Sequence, residues 1–197
     1  MNPPAVIANT REHLLECAAD LLQRVGYASF SFRDLADAVG IRAASVHYHF
    51  PTKADLGVAL VDWFRARTGP EIAALCVASP NIRHRLLALA EHVAKHTCTS
   101  GKSCPINLLL SEFSVLPPAL QVKVRAWVDD CISSMASWLE QGRSAGELSF
   151  PGDAISQARL VWSVIEHGTQ LARTHPDQPF GALMRHLVAT MTPSSAA

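Results

Sequence analysis

Residues 30–53 read Phe30-Ser31-Phe32-Arg33-Asp34-Leu35-Ala36-Asp37-Ala38-Val39-Gly40-Ile41-Arg42-Ala43-Ala44-Ser45-Val46-His47-Tyr48-His49-Phe50-Pro51-Thr52-Lys53. Ser31 is a hydroxyl N-cap and predicts a short helix over 32–39, with Leu35, Ala36 and Val39 on its inner face. Gly40 ends that helix. A second short helix carries Arg42 to Tyr48, and Phe50-Pro51 closes it because proline disfavours helical geometry in the residue before it. Two short helices joined at a glycine, with small alanines where they approach each other, have the spacing of a helix-turn-helix.

Upstream, Leu14, Leu15, Ala18, Leu21, Leu22 and Val25 recur at spacings of three and four, the stripe of an amphipathic helix stopped at Gly26. Downstream, Thr52 caps a longer helix through Leu56, Leu60, Trp63 and Phe64, which Gly69-Pro70 is expected to break or kink. The remainder reads as helices near 81–98, 105–115, 117–141, 153–174 and 179–191, and no segment alternates with the period of a strand. The expected fold is all-α. An N-terminal three-helix part covers 10–56 and a second helical part covers 57–191, with the boundary inside or just after the fourth helix and flexible ends at 1–9 and 192–197.

Composition sets the outer bounds. The 197 residues are 49% apolar and 17% charged, an ordered globular balance. No apolar run approaches the ~20 residues of a membrane span, so the expected location is cytoplasmic, with no membrane partner. Cys17, Cys76, Cys98, Cys104 and Cys131 are odd in number and widely spaced, which argues for thiols rather than a disulfide framework. Lys plus Arg equal Asp plus Glu at 17 each, so no net positive charge supports binding to phosphates. A nucleic-acid reading must therefore rest on placement, with helix termini and hydroxyls supplying contacts that charge counting misses.

The stretch from Thr10 to Leu56 resembles the N-terminal domain of the TetR/AcrR family. The match runs through Phe-x-Phe-Arg-Asp-Leu-Ala-Asp-Ala-Val-Gly-Ile at 30–41 and Ser-Val-His-Tyr-His-Phe-Pro-Thr-Lys-Ala-Asp-Leu at 45–56. The resemblance implies a one-component repressor, bound to double-stranded operator DNA as a homodimer and released by a small-molecule inducer. The residues agree with it. A recognition helix must reach base edges from its first turns, and Arg42, Ala43, Ala44, Ser45 and His47 suit that task, Arg42 as a bidentate guanine reader and the alanines as thymine-methyl contacts. Thr10, Tyr48, His49 and Lys53 suit phosphates, Arg33 can reach a base or the backbone, and Ser31 joins them at the helix start. Phe50 and Leu56 are expected in the core.

The same resemblance implies a ligand pocket among the middle helices and a dimer seam from the last two. Trp63, Phe113, Trp127, Cys131, Met135 and Trp162 are the candidate pocket wall, and Glu166 is a polar residue that can orient a ligand. Aromatic residues at helical spacing are also what a plain core requires. Cys104 stands just before a helix beginning at Pro105, where the helix dipole and Lys102 favour a thiolate. The local sequence, with Asn9 to Leu15, is similar to a TetR branch that senses electrophiles and oxidants through a cysteine, although that branch commonly has glycine where this chain has Ser103. Cys104 is thus the candidate sensor and Cys98 its resolving partner, against the alternative of a packed small hydrophobe.

Two other readings compete. A metal-sensing repressor would use His92 and His96, four apart on one helix face, with Cys98 and Cys104. A helical cysteine enzyme would need a base held against the nucleophile. No phosphate loop, dinucleotide fingerprint or hydrolase elbow is present, so neither a cofactor nor a catalytic function is expected.

Overall fold

In the computed structural model, residues 3–98, 102–175 and 177–193 are described, with side chains from Thr10 onward. Helix α2 (Phe32–Val39) starts at Ser31, whose Oγ accepts from Asp34 N while the Asp34 carboxylate accepts from Ser31 N at 2.7 Å. This reciprocal cap satisfies two of the amides a helix start leaves open. Gly40 ends α2 at φ 74°, a left-handed conformation costly for a residue with a Cβ. Helix α3 (Ala43–His49) follows, and α4 (Lys53–Ala78) opens on a second reciprocal cap between Thr52 and Asp55. Before them runs α1 (Pro3–Val25); after them come α5 (Ile82–Thr97), α6 (Pro105–Ser111), a 3-10 turn at Phe113–Val115, α7 (Pro118–Ser144), α8 (Ala154–Thr174) and α9 (Phe180–Thr190). Among the described residues there is no strand, and no helix is long and apolar enough to cross a membrane.

The chain packs as two units. The first comprises the chain up to Thr68 with Ser103–Ala126; the second comprises Gly69–Lys102 with the chain from Trp127. The chain crosses between the units three times, within α4 after Thr68, between Lys102 and Ser103, and within α7 after Ala126; the first boundary lies in the same helix as Leu56 but further along it. In the first unit Leu14, Leu22, Leu35, Val46, Phe50, Leu56, Leu60 and Leu120 are buried almost completely. Each such side chain contributes about 1.5–3 kcal/mol by leaving water. Gly57 lets α4 approach its neighbours closely, since a Cβ there would lie 2.6 Å from Leu120 Cδ2 and 2.9 Å from Tyr27 Cε2. The second unit buries Leu86 and Leu89 of α5, Met135 and Leu139 of α7, Val161 and Ile165 of α8, and Met184 and Val188 of α9 in one cluster.

Two features differ from expectation. Residues 1–9 read as a flexible end, yet α1 already begins at Pro3; prolines in a first turn lack only amides that would have no helical partner. Residues 194–197 of the expected tail lie outside the described residues. The expected break at Gly69-Pro70 is absent, and α4 runs through Pro70 to Ala78. Proline removes the donor for the carbonyl four residues back, but Ala66 is exposed, so water can supply it.

Candidate nucleic-acid interface and sensor segment

Helix α3 has seven residues, too few to persist without packing. Val46, fully buried, is its anchor. His47 adds a brace: its ring meets Phe32 edge-on at 4.8 Å and its Nδ1 lies 3.3 Å from the Pro51 carbonyl oxygen. Arg42 occupies the N-cap with extended backbone and no side-chain cap bond. Arg42, Ala43, Ala44, Ser45, His47 and Tyr48 are all exposed, and His49 is half-buried. Tyr48 is 73% exposed although its ring meets His49 edge-on. The expected base-reading residues thus share the open side of one short helix, next to exposed Arg33 in the first turn of α2.

Other expected phosphate contacts sit differently. Thr10 is half-buried on α1. Ser31 spends its hydroxyl on the α2 cap, donating to Asp34 Oδ2 at 2.7 Å. Lys53 departs from expectation. Its ammonium turns inward, donating to the carbonyls of Phe30 and Ala28 and lying 4.7 Å from the centroids of both the Tyr27 and Phe30 rings. Burial lowers its pKa, partly offset by Glu112 and Asp34. The turn between α1 and α2 presents carbonyls that need donors, and Lys53 supplies them; Tyr27 fastens the same corner by donating to the Lys53 carbonyl at 2.8 Å.

Cys104, the candidate sensor, belongs to the same unit. Cys104 is the half-buried N-cap of α6, followed by Pro105 at the first helical position. Helix α6 buries Ile106 and Leu109 and packs on α1. Both its ends are tied to the N-terminal segment. Gln23 Nε2 donates to the Ser103 carbonyl at 3.2 Å, and Glu112, the α6 C-cap, accepts from Ala28 N at 2.8 Å. Gln23 and Glu112 carry no signal in the sequence, because partners 80 and 84 residues away leave no local pattern. Cys98 caps α5 in the second unit, with Sγ 4.0 Å from the Thr169 carbonyl oxygen. The expected pairing of Cys98 with Cys104 runs through 99–101, which lie outside the described residues.

The seven expected pocket residues divide between the two units. Trp63 and Phe113 belong to the first unit and the other five to the second. Trp63 donates its indole N–H to Glu12 at 2.7 Å and lies under the Arg67 guanidinium, while Arg125 lies over Phe113. These are wide rings used as platforms for charged side chains. Met135 is core, and Cys131 and Trp162 pack against that core; Trp127 is half-buried. Glu166 is buried, and burial raises its carboxyl pKa to about 7. An open groove of about 610 Å³ on α8 and α9 has other walls, among them Leu160, Val164, His167, Leu171 and Leu183. Among the described residues, the group able to hold a metal is Glu71, His92 and His96, and neither Cys98 nor Cys104 belongs to it.

Residues 14–60 match the model of "Bacterial regulatory proteins, tetR family", and residues 83–187 match that of "Tetracyclin repressor-like, C-terminal domain". A TetR-family transcriptional regulator from Agrobacterium tumefaciens has the same fold with a TM-score of 0.89 and 32% identity, over 95% of this chain and all of that one. The chain belongs to the TetR family. It is a helix-turn-helix transcriptional regulator. The HTH-type transcriptional repressor NemR of Escherichia coli K12 is 24% identical over 159 residues, which are 79% of this chain and 80% of that protein. The reduced form of E. coli NemR, at 22% identity, shares the fold with a TM-score of 0.82 over 95% of this chain and all of that one. The matched N-terminal segment contains α2 and α3 entire.

Proposed function

We propose that this regulator is a cytoplasmic, non-enzymatic, homodimeric repressor whose grip on operator DNA is released by covalent modification of Cys104. The observation that carries the reading is the double attachment of α6. Ser103, next to the thiol, is bonded to Gln23 of α1, and Glu112 at the other end is bonded to Ala28 in the turn leading to the helix-turn-helix. An electrophile with an activated double bond adds to the Cys104 thiolate, forming a carbon–sulfur bond, while the carbon beside it takes a proton from water. The added bulk at a half-buried N-cap displaces the start of α6, and with it the α1–α2 corner on which α3 depends. The likeness to NemR, described in its reduced form, supports a thiol-based signal.

Arg42, Ala43, Ala44, Ser45, His47 and Tyr48 form the operator contact in this reading, with Arg33, Thr10 and His49 on its flanks. A second copy of the chain covers the groove on α8 and α9, where Leu160, Leu171 and Leu183 are exposed. Two copies are required to read a palindromic operator. Trp127, Trp162 and Glu166 remain the residues of the second unit proposed for a non-covalent inducer.

Mobility shift on DNA from the protein's own promoter tests the proposal. Reduced protein binds, N-ethylmaleimide abolishes binding, and Cys104→Ser binds but no longer responds. Release of Cys104→Ser by the same treatment overturns the sensor assignment, and absence of specific binding at moderate salt overturns the repressor reading.

A further inference from the structure

Within the second unit, α5 carries His92 and His96 one turn apart, a spacing that stacks both imidazoles on one helix face. Their ring centroids are 4.5 Å apart. Glu71, on the portion of α4 that belongs to this unit, brings Oε2 to 3.7 Å from His92 Nε2 and 3.6 Å from His96 Nε2. One donor atom from each of the three side chains lies within 4.8 Å of the others. The carboxylate–imidazole separations exceed the roughly 3.2 Å limit of a good hydrogen bond. They approach a coordination edge instead: a tetrahedral ion with bonds of about 2.0–2.1 Å holds its ligand atoms about 3.3 Å apart. Rotation of the exposed Glu71 and His96 side chains can bring the three donor atoms to that separation.

We propose that Glu71, His92 and His96 form a binding site for a divalent transition-metal ion, zinc above all, with the fourth position left to water. Two imidazoles and one carboxylate are a borderline donor set that suits zinc, nickel or copper(II) better than the all-oxygen sets of magnesium and calcium. The competing description is a surface ion pair between Glu71 and protonated histidines, which would place two like charges on rings whose centroids are 4.5 Å apart. Neutral imidazole is the form that ligates a metal. The expected ligand set of His92, His96, Cys98 and Cys104 is thereby revised, with a carboxylate from α4 replacing both thiols. A bound ion would cross-link α4 beyond Pro70 to α5. The inference goes beyond the regulator reading, since it requires neither operator nor thiol.

The test is zinc titration of the full-length, reduced protein by calorimetry and by competition with a chromophoric chelator. Cysteines also bind zinc, so the decisive quantity is the difference from the His92→Ala/His96→Ala variant. Wild type takes up one more equivalent per chain than this variant, and Glu71→Ala weakens that equivalent about tenfold or more. With cobalt(II), the extra equivalent lacks thiolate charge-transfer absorption. Circular dichroism of the metal-free variants checks that they are folded, and the single variants Glu71→Ala and His96→Ala alter exposed positions only. Equal stoichiometry and affinity in wild type and the double variant overturns the site, as does loss of the equivalent on replacing cysteines rather than histidines.

Discussion

Gly26 and Glu112 form a coupled pair whose energy can be worked from the structure. Gly26 has φ 87°, and a Cβ added there would lie 2.2 Å from Glu112 Oε1. Gly26→Ala therefore meets two costs. The left-handed backbone costs about 1–2 kcal/mol for an L-residue. The clash falls on the end of a flexible side chain, so it is relieved by moving the carboxylate, which gives up its bond from Ala28 N. A hydrogen bond to a charged acceptor contributes about 1.5–3 kcal/mol, and the exposed setting of this one reduces that to about 1–2. The expected total for Gly26→Ala is about 2–4 kcal/mol. In a Glu112→Ala background the clash and the bond are already gone, so the same substitution costs only the backbone strain. Urea unfolding of the four proteins in a double-mutant cycle should return a coupling energy of about 1–2 kcal/mol. Equal costs of Gly26→Ala in both backgrounds would refute the claim that Glu112 ties α6 to the α1–α2 corner. Under the proposed mechanism, Glu112→Ala should also blunt the loss of operator binding when Cys104 is alkylated.

Three further outcomes are expected. Arg42→Ala and Tyr48→Ala should each weaken operator binding about ten- to a hundredfold, as for losing a base-edge or backbone contact, while leaving the thermal midpoint unchanged because both residues are exposed; a shifted midpoint with unchanged binding would contradict this. Glu166 has its carboxyl raised from the ordinary 4.5 to about 7 by burial, so the folded state holds the proton more tightly than the unfolded chain. Its contribution is fully present below about pH 4.5 and is lost as pH rises through about 7, a fall of ~3 kcal/mol; Glu166→Gln should remove this part of the pH dependence in unfolding titrations, and an unaltered profile would count against it. Leu160→Asp with Leu171→Asp, on the groove of α8 and α9, should convert the dimer to monomer in light scattering and reduce operator affinity; an intact dimer would move the seam elsewhere.

The legible parts of this molecule are those written in neighbouring residues. Ser31, Thr52, Gly40 and the apolar stripes of α1 and α2 act through contacts within a few residues, so these helix ends and most inward positions followed from spacing, although Val25, placed on the α1 stripe, is 46% exposed. The placement of Tyr48 and Arg42 on an open face followed for the same reason. Interactions across the chain were not legible: Glu112 with Ala28, Gln23 with Ser103 and Glu71 with the two histidines depend on how helices pack. Lys53 shows the limit within the motif itself, since a lysine at a helix start suits a phosphate as well as a buried turn, and only the position of the Phe30 carbonyl decides between them. Trp63 marks another limit, because helical spacing shows that a ring is covered but not that a carboxylate, Glu12, covers it.

The single buried anchor of α3 has an evolutionary consequence. Because Val46 seats the helix in the core and His47 braces it, Ala43, Ala44, Ser45 and Tyr48 can change with little effect on folding. Duplicated copies of such a gene can drift toward new promoter sites without first acquiring compensating changes in the scaffold. The cost of altering the address is then borne at the DNA and hardly at all by the protein.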